Sequence, residues 1–248
     1  MSTVELIFSP TGGTAKVADI IADRWNDDII VIDLCDKGTD FSVCTIRSDD
    51  HVIVAMPSFC GRAPAPAIER LKMIKGNGAS CILVCVYGNR AFEDTLAEME
   101  DVANGLDLKV TAAIAAVSRH SIISEFACER PDAFDKKQLE EFADSVRDKT
   151  CFATSIPGNR PYKNRGGLTP VPQPSSDCVR CGLCAHGCPV GAIDKMSLVA
   201  DKEKCISCMR CLRKCPHDAR MVDAAAVSAI RSLIGKACSV RKENELFL

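Results

Sequence analysis

No part of this 248-residue chain approaches the roughly 18 consecutive apolar residues that a membrane-spanning helix requires, so membrane insertion is not expected. The opening residues carry no basic n-region and run straight into Ser9-Pro10-Thr11-Gly12-Gly13, which is not how a signal peptide reads. A cytoplasmic location is therefore expected. Two nucleotide-binding signatures are also missing. The chain contains neither GxGxxG after its first strand nor the Gly-Lys-Ser/Thr of a P-loop, which argues against a dinucleotide fingerprint and a P-loop NTPase. Aromatic residues make up only 5% of the chain, and its single tryptophan, Trp25, reads as packing. Charge shows little overall excess at −2, yet it is unevenly spread. Residues 151–248 hold 15 Lys/Arg against 8 Asp/Glu, and the remainder holds 16 against 25. A basic half could serve a nucleic acid, but basic composition alone is weak evidence and no nucleic-acid partner is expected.

What the chain does have is cysteine, sixteen in all, and their distribution is informative. Eight fall between positions 178 and 215, while Cys35, Cys44, Cys60, Cys81, Cys85, Cys128, Cys151 and Cys238 have no partner spacing. Without an export signal, metal or redox chemistry is favoured over disulfides. The eight form an internal repeat with a period of 27. Cys178-Val-Arg-Cys181-Gly-Leu-Cys184-Ala-His-Gly-Cys188-Pro189 is answered by Cys205-Ile-Ser-Cys208-Met-Arg-Cys211-Leu-Arg-Lys-Cys215-Pro216. Each half is C-x2-C-x2-C-x3-C-P, the bacterial iron–sulfur run. Three thiolates at two-residue gaps can wrap three corners of a cubane, and the fourth corner must come from elsewhere. Zinc sites built on two CxxC pairs need neither a third cysteine per run nor the following proline. His186 and His217, inside the repeat, read as surface residues.

The first 150 residues follow another rhythm. Short Val/Ile-rich runs at 4–8, 29–34, 51–55, 81–87 and 109–117 have the length of buried strands. Helical stretches at 14–25, 65–75, 92–104 and 135–149 separate them, which predicts a parallel sheet covered on both faces. Residues 151–176 break the pattern with five prolines and three glycines and read as an extended linker draped over a surface. An Ala-rich closing helix is expected over 223–236, followed by a frayed, charged end. The expected division is 1–150, linker 151–176, cysteine module 177–222, and helix with tail 223–248.

Phe8-Ser9-Pro10-Thr11-Gly12-Gly13-Thr14 follows the first strand and opens the first helix. Its hydroxyls and exposed amides suit one phosphate at a helix N-terminus. A simple strand–helix turn with a Thr cap remains the alternative. Met56-Pro57-Ser58-Phe59-Cys60-Gly61-Arg62 and Val86-Tyr87-Gly88-Asn89-Arg90-Ala91-Phe92 follow the third and fourth strands.

Residues 178–221 resemble the two-[4Fe–4S] bacterial ferredoxins, and residues 3–149 resemble the flavodoxins. With P-x-aromatic-x-G-R-x-P, then YGNR, then linker and cysteine module in that order, nearly the whole chain resembles the flavodoxin–ferredoxin fusion proteins of anaerobic bacteria. That resemblance implies a doubly wound α/β sheet of order 2-1-3-4-5 followed by a small α+β ferredoxin domain. It implies two [4Fe–4S] clusters with crossed ligation, one held by Cys178, Cys181, Cys184 and Cys215 and the other by Cys205, Cys208, Cys211 and Cys188. It also implies FMN, with the phosphate at Ser9, Thr11, Gly12, Gly13 and Thr14. The ring would lie between Pro57, Ser58, Phe59, Cys60, Gly61 and Tyr87, Gly88, Asn89, Arg90. Where the family more usually has Tyr-Gly-Gly, this chain has Phe59-Cys60-Gly61, a stiffer loop. The expected function is electron transfer between clusters and FMN, with redox proteins as partners. The rival expectations are a flavoenzyme reducing a small molecule, with His120 a candidate proton donor, and a redox-dependent binding module.

Overall fold

A computed structural model describes residues 2–25, 28–167 and 169–248. Met1, Asn26, Asp27 and Leu168 belong to the expected spans 1–150 and 151–176 but lie outside the described residues. Five strands, β1 (Thr3–Ile7), β2 (Ile29–Asp33), β3 (His51–Pro57), β4 (Ser80–Tyr87) and β5 (Lys109–Val117), pair in parallel in the order β2-β1-β3-β4-β5. Helices α1 (Gly13–Trp25), α2 (Ala65–Leu71), α3 (Thr95–Gly105) and α4 (Ala133–Val146) alternate with them. The alternation along each strand decides the layering. In β3, Val52, Val54 and Met56 point into one core with Leu71, Leu96 and Met99, while Ile53 and Ala55 point into the other with Val17, Ile21 and Leu139. Each fully buried aliphatic side chain contributes about 1.5–3 kcal/mol, so both faces of the sheet drive the fold. α1 meets its face through Val17, Ala18, Ile21, Ala22 and Trp25, spaced at helical periodicity. The Trp25 indole N–H donates to the Ala143 carbonyl on α4, 3.0 Å away.

Two expectations need correction. β2 is not a buried strand: Ile29, Ile30 and Val31 are exposed. It lies at the sheet edge, and its connection to β3 contains only a 3-10 turn, Phe41–Val43, where a covering helix would otherwise sit. The chain end is not frayed either. Glu245–Phe247 forms an antiparallel strand, paired with Ala113–Ala115 of β5, that extends the sheet to six strands. Asn244, just before it, is buried and explains the order. Its side chain accepts from the Val117 amide at 2.9 Å and donates to Asp135 at 3.0 Å.

The cysteine-rich segment adds β6 (Gln173–Pro174), α5 (Leu183–His186), α6 (Arg210–Lys214), β7 (Arg220–Met221) and α7 (Ala224–Cys238), after which Glu245–Phe247 is β8. β6 and β7 pair antiparallel. The linker does run along a surface. Asp94 accepts from the Asn159 and Lys163 amides at 2.8 and 2.7 Å, and Arg160 bridges to Asp101 at 2.8 Å. Arg62 stacks on the Tyr162 ring at 4.6 Å.

Candidate redox site where the two folds meet

The two cysteine runs repeat in backbone as well as in sequence. Arg180 and Gly182 have φ of 60° and 77°, and their counterparts 27 residues on, Ser207 and Met209, have 52° and 61°. Gly191 and Asp218 repeat the pattern at 61° and 48°. A non-glycine residue in this region costs of order 1 kcal/mol or more, and such residues cluster where a loop must wrap something. The fourth cysteines match too. The Ala192 amide donates to Cys188 Sγ and the Ala219 amide to Cys215 Sγ, each at 3.3 Å. α5 and α6, which follow the second cysteine of each run, pack together.

Cys188, Cys205, Cys208 and Cys211 are mutual neighbours. Burial pushes the Cys208 thiol up to about 12, and the charges of Cys211, Cys188 and Cys205 push the same way. Cys205 and Cys211 are raised first by burial and then by Cys188 among others, while the Arg220 guanidinium draws both back. Cys188 comes from the first run and the other three from the second. Burial and neighbouring thiolate charge disfavour ionisation of Cys205, Cys208 and Cys211, and a cationic centre among them would deprotonate them. Among the described residues no three His, Cys, Asp or Glu side chains converge as tightly as the ligands of one metal ion.

The loops at the carboxyl ends of β1, β3 and β4 border two adjoining spaces. The smaller, about 60 Å³, lies at the start of α1 and is lined by Thr11, Gly13, Thr14, Pro57, Ser58 and Ser118 among others. The Ser9 hydroxyl accepts from the Ala15 amide at 2.9 Å, and the Lys16 amide donates to the Gly12 carbonyl. Gly13 and Thr14 line this space and open α1, where backbone amides have no partner within the helix. A side chain at Gly13 would lie 2.5 Å from Ser118 Oγ, so only glycine leaves the space open. The larger cavity, about 590 Å³, falls within the 300–1,000 Å³ range of cofactor sites. Ser58, Phe59, Tyr87, Gly88, His120 and Ser121 line both.

Of the residues expected around a flavin, Thr11, Gly13, Thr14, Pro57, Ser58, Phe59, Cys60, Tyr87, Gly88 and Arg90 line these spaces. Others do structural work beside them. Asn89 does not line the cavity. Its side-chain amide donates to the Cys238 and Val240 carbonyls at 2.8 and 2.9 Å and accepts from the Lys242 amide, which pins the end of α7. Gly12 and Gly61 supply positive φ of 90° and 84°, and Cys60 adopts 52° beside Gly61. That two-residue turn is closed by Phe59 and Arg62, which exchange amide–carbonyl bonds at 2.9 and 3.2 Å, and the Gly61 carbonyl accepts from the Asp94 amide. Arg62 faces Glu98 instead of the cavity, with Nε 2.8 Å from Oε2.

His120 lines the cavity and is at the same time structurally held. Its Nδ1 accepts from the Ile122 and Ile123 amides at 3.2 and 3.0 Å, which places the ring proton on Nε2. Burial, reinforced by Arg90, pushes its pKa down to about 4, so the ring is neutral at pH 7.

Three parts of the wall carried no sequence signal. The linker supplies Lys163, Arg165, Gly166, Gly167 and Thr169, α7 supplies Ile230, Leu233, Ile234 and Ala237, and the second cysteine run supplies Ile206 and Ser207. The last contact joins the two halves. Ile206 packs on the core beneath the sheet, and Arg210, next to Cys211, donates to the Ser9 carbonyl at 3.3 Å and faces Asp33 at 3.7 Å.

Residues 174–194 and 198–221 match the family described as 4Fe-4S binding domain. No curated protein matches the chain. Among solved structures it is similar to the rubredoxin:oxygen oxidoreductase of the anaerobe Desulfovibrio gigas, at 18% identity and a TM-score of 0.43. That match covers 58% of this chain and 35% of the other, so the chain spans about a third of it. A Streptococcus pneumoniae flavodoxin matches at 22% identity over 59% of this chain and 96% of its own, TM-score 0.42. A Bacillus cereus flavodoxin matches at 15% over 61% and 100%, TM-score 0.44. These likenesses are weak, and the fold assignment rests on the strand order. No helix among the described residues is long and apolar enough to cross a membrane. A flavodoxin-like α/β fold is thus followed by a 4Fe-4S ferredoxin-type domain at 174–221, an arrangement consistent with a flavodoxin–ferredoxin fusion and with a role in electron transfer.

Proposed function

We propose that this chain is a cytoplasmic electron-transfer protein that carries two [4Fe–4S] clusters and one FMN and passes electrons between them internally. The observation that carries this reading is the shared cavity wall: Ile206 and Ser207, between two cysteines of one cluster set, face the same space as Phe59 and Tyr87. The first cluster would be held by Cys178, Cys181, Cys184 and Cys215, and the second by Cys188, Cys205, Cys208 and Cys211. The Gly13 and Thr14 amides, with the dipole of α1 behind them, would meet the FMN phosphate. Phe59 and Tyr87 would offer apolar faces to the ring, and His120 would offer a neutral Nε2–H. Bound there, FMN would supply exchange of one or two electrons beside a cluster that exchanges one. This route requires no acid, base or nucleophile from the protein. A reductase acting on a small molecule would need a proton donor, and His120, neutral and held at Nδ1, is poorly suited to give one.

Protein prepared anaerobically is expected to contain about eight irons and one FMN per chain, from two cubanes and one phosphate site. After rapid cluster reduction, flavin bleaching should proceed at a rate independent of protein concentration. Zinc in place of iron, FAD in place of FMN, or a rate proportional to concentration would overturn the proposal.

A further inference from the structure

The repeat contains its own comparison. Two loops of one backbone shape, 27 residues apart, differ in what they face. In the second run Ser207, Cys208 and Met209 are buried, and Ile206 leans on the flavodoxin-like core. In the first run, Cys181 and Arg180 are exposed, Val179 is 60% exposed and Leu183 is 49% exposed. One loop is covered by its own chain, and the other presents the same cluster edge to solvent with two apolar residues beside it.

The charges differ in the same sense. Arg180 precedes Cys181 and Lys214 precedes Cys215, so two exposed cations flank ligands of the outward cluster. Neither makes an ion pair among the described residues. At the equivalent inward positions stand Ser207 and Gly187, both uncharged. Exposed apolar residues inside a charged rim are the usual anatomy of a protein interface. Unpaired cations around a redox edge would steer an oppositely charged partner.

We infer that the loop Val179–Leu183 with Arg180 and Lys214 is a docking port for a small acidic one-electron carrier protein, while the Ile206–Ser207 loop is the internal relay toward the flavin site. One electron leaves the reduced carrier and enters the cluster of Cys178, Cys181, Cys184 and Cys215, with no bond or proton transferred. This rests on the cluster and FMN assignment above.

The test uses the holoprotein and a reduced, acidic two-cluster ferredoxin as probe, mixed anaerobically in stopped flow. The second-order reduction rate should fall steeply with added salt as the exposed charges are screened. Arg180→Glu with Lys214→Glu should lower it about tenfold or more at low ionic strength and converge on wild type at high salt. Lys136→Glu with Lys137→Glu, an equal charge change at two exposed positions on α4, should leave it unchanged. Titration calorimetry with the oxidised probe should show the same order of affinities, independent of turnover. A salt-insensitive rate, an equal loss in the α4 variant, or loss of self-association instead of carrier binding would each overturn the port. Reduction by dithionite, which needs no docking, reports separately on internal transfer, so failure of the port and failure of the proposed function give different results.

Discussion

Replacing Glu98 by Gln should loosen the linker and open the cavity from the outside. Glu98 lies on α3 with its side chain 6% exposed. It accepts from Arg62 Nε and Nη2 at 2.8 and 2.9 Å, from the Ala63 amide at 3.1 Å, and from Arg165 of the linker. Glutamine keeps the shape but turns an NH2 group toward donors and leaves guanidinium charge uncompensated in a mostly buried place. Breaking one side of such a pair costs about 3–5 kcal/mol. For a chain of this size that corresponds to a fall in apparent melting temperature of about 10 °C. Arg165→Gln is the internal control. Its side chain is 39% exposed, so screening by solvent limits the loss to about 1 kcal/mol. Because Arg165 also donates to the Ala63 carbonyl and lines the cavity, release of Glu98 should make the bonds after Lys163 and Arg165 accessible to trypsin. Anaerobic melting with time-resolved tryptic mapping reads both effects. An E98Q protein that melts like wild type and resists cleavage there would refute the argument that this buried carboxylate fixes the linker.

Cys188→Ala should damage the cluster built mainly from Cys205, Cys208 and Cys211 and spare the one beside it in sequence. Paramagnetic spectra that separate the two clusters decide this, and loss of the nearer cluster alone would show that ligation is not crossed. Glu5, buried in β1 with its Oε1 unpartnered, has its pKa raised from 4.5 to about 7 by burial and then by Asp19 and Asp23. Between those values the folded state keeps a proton that the unfolded state has released, so stability falls as pH rises from about 4.5 to 7. Glu5→Gln should therefore be neutral near pH 4 and stabilising by up to about 3 kcal/mol at pH 8, checked by urea titration across pH. His120 acts in the opposite sense. Its lowered pKa gives stability that is present above 6.5 and lost as pH falls toward 4, so the slope of the Glu5→Gln variant should expose an acid-side loss that the wild type masks.

The legible parts of this molecule were those where one local pattern has one physical meaning. Val/Ile runs of strand length gave β1, β3, β4 and β5 because those strands are covered on both faces. The same pattern misled at β2, whose apolar residues are equally β-forming but lie at an edge, and sequence alone does not show which strand lacks a covering helix. β8 was unreadable for the opposite reason. Three residues in a charged tail carry no strand signal, and their order comes from Asn244 binding Val117 and Asp135, more than 100 residues away in sequence. At the site, the cysteine spacing was explicit, whereas Asn89 looked like a cavity residue because it sits between Gly88 and Arg90. Its amide is instead taken up by α7, which no local pattern could foretell. The apolar stripe of α7 was readable only as a helix, not as part of the cavity wall.

The pinned linker bears on how the two halves cooperate. A flexible tether would raise the effective concentration of one half near the other to the millimolar range but leave orientation to chance. Here residues 159–165 are held to α3 by Asp94, Asp101 and Glu98, and Ser207 donates to the Pro170 carbonyl at 2.8 Å. Arg70 adds a bond to the Pro189 carbonyl, and Lys37 to the Ala185 carbonyl at 3.2 Å. These bonds tie linker and module to the flavodoxin-like fold at several points, so the module can neither swing away nor turn its other loop inward without breaking several at once. Orientation then decides which cysteine loop faces the cavity and which faces solvent. A chain so arranged has one inner and one outer cysteine loop, although the two loops have the same backbone shape.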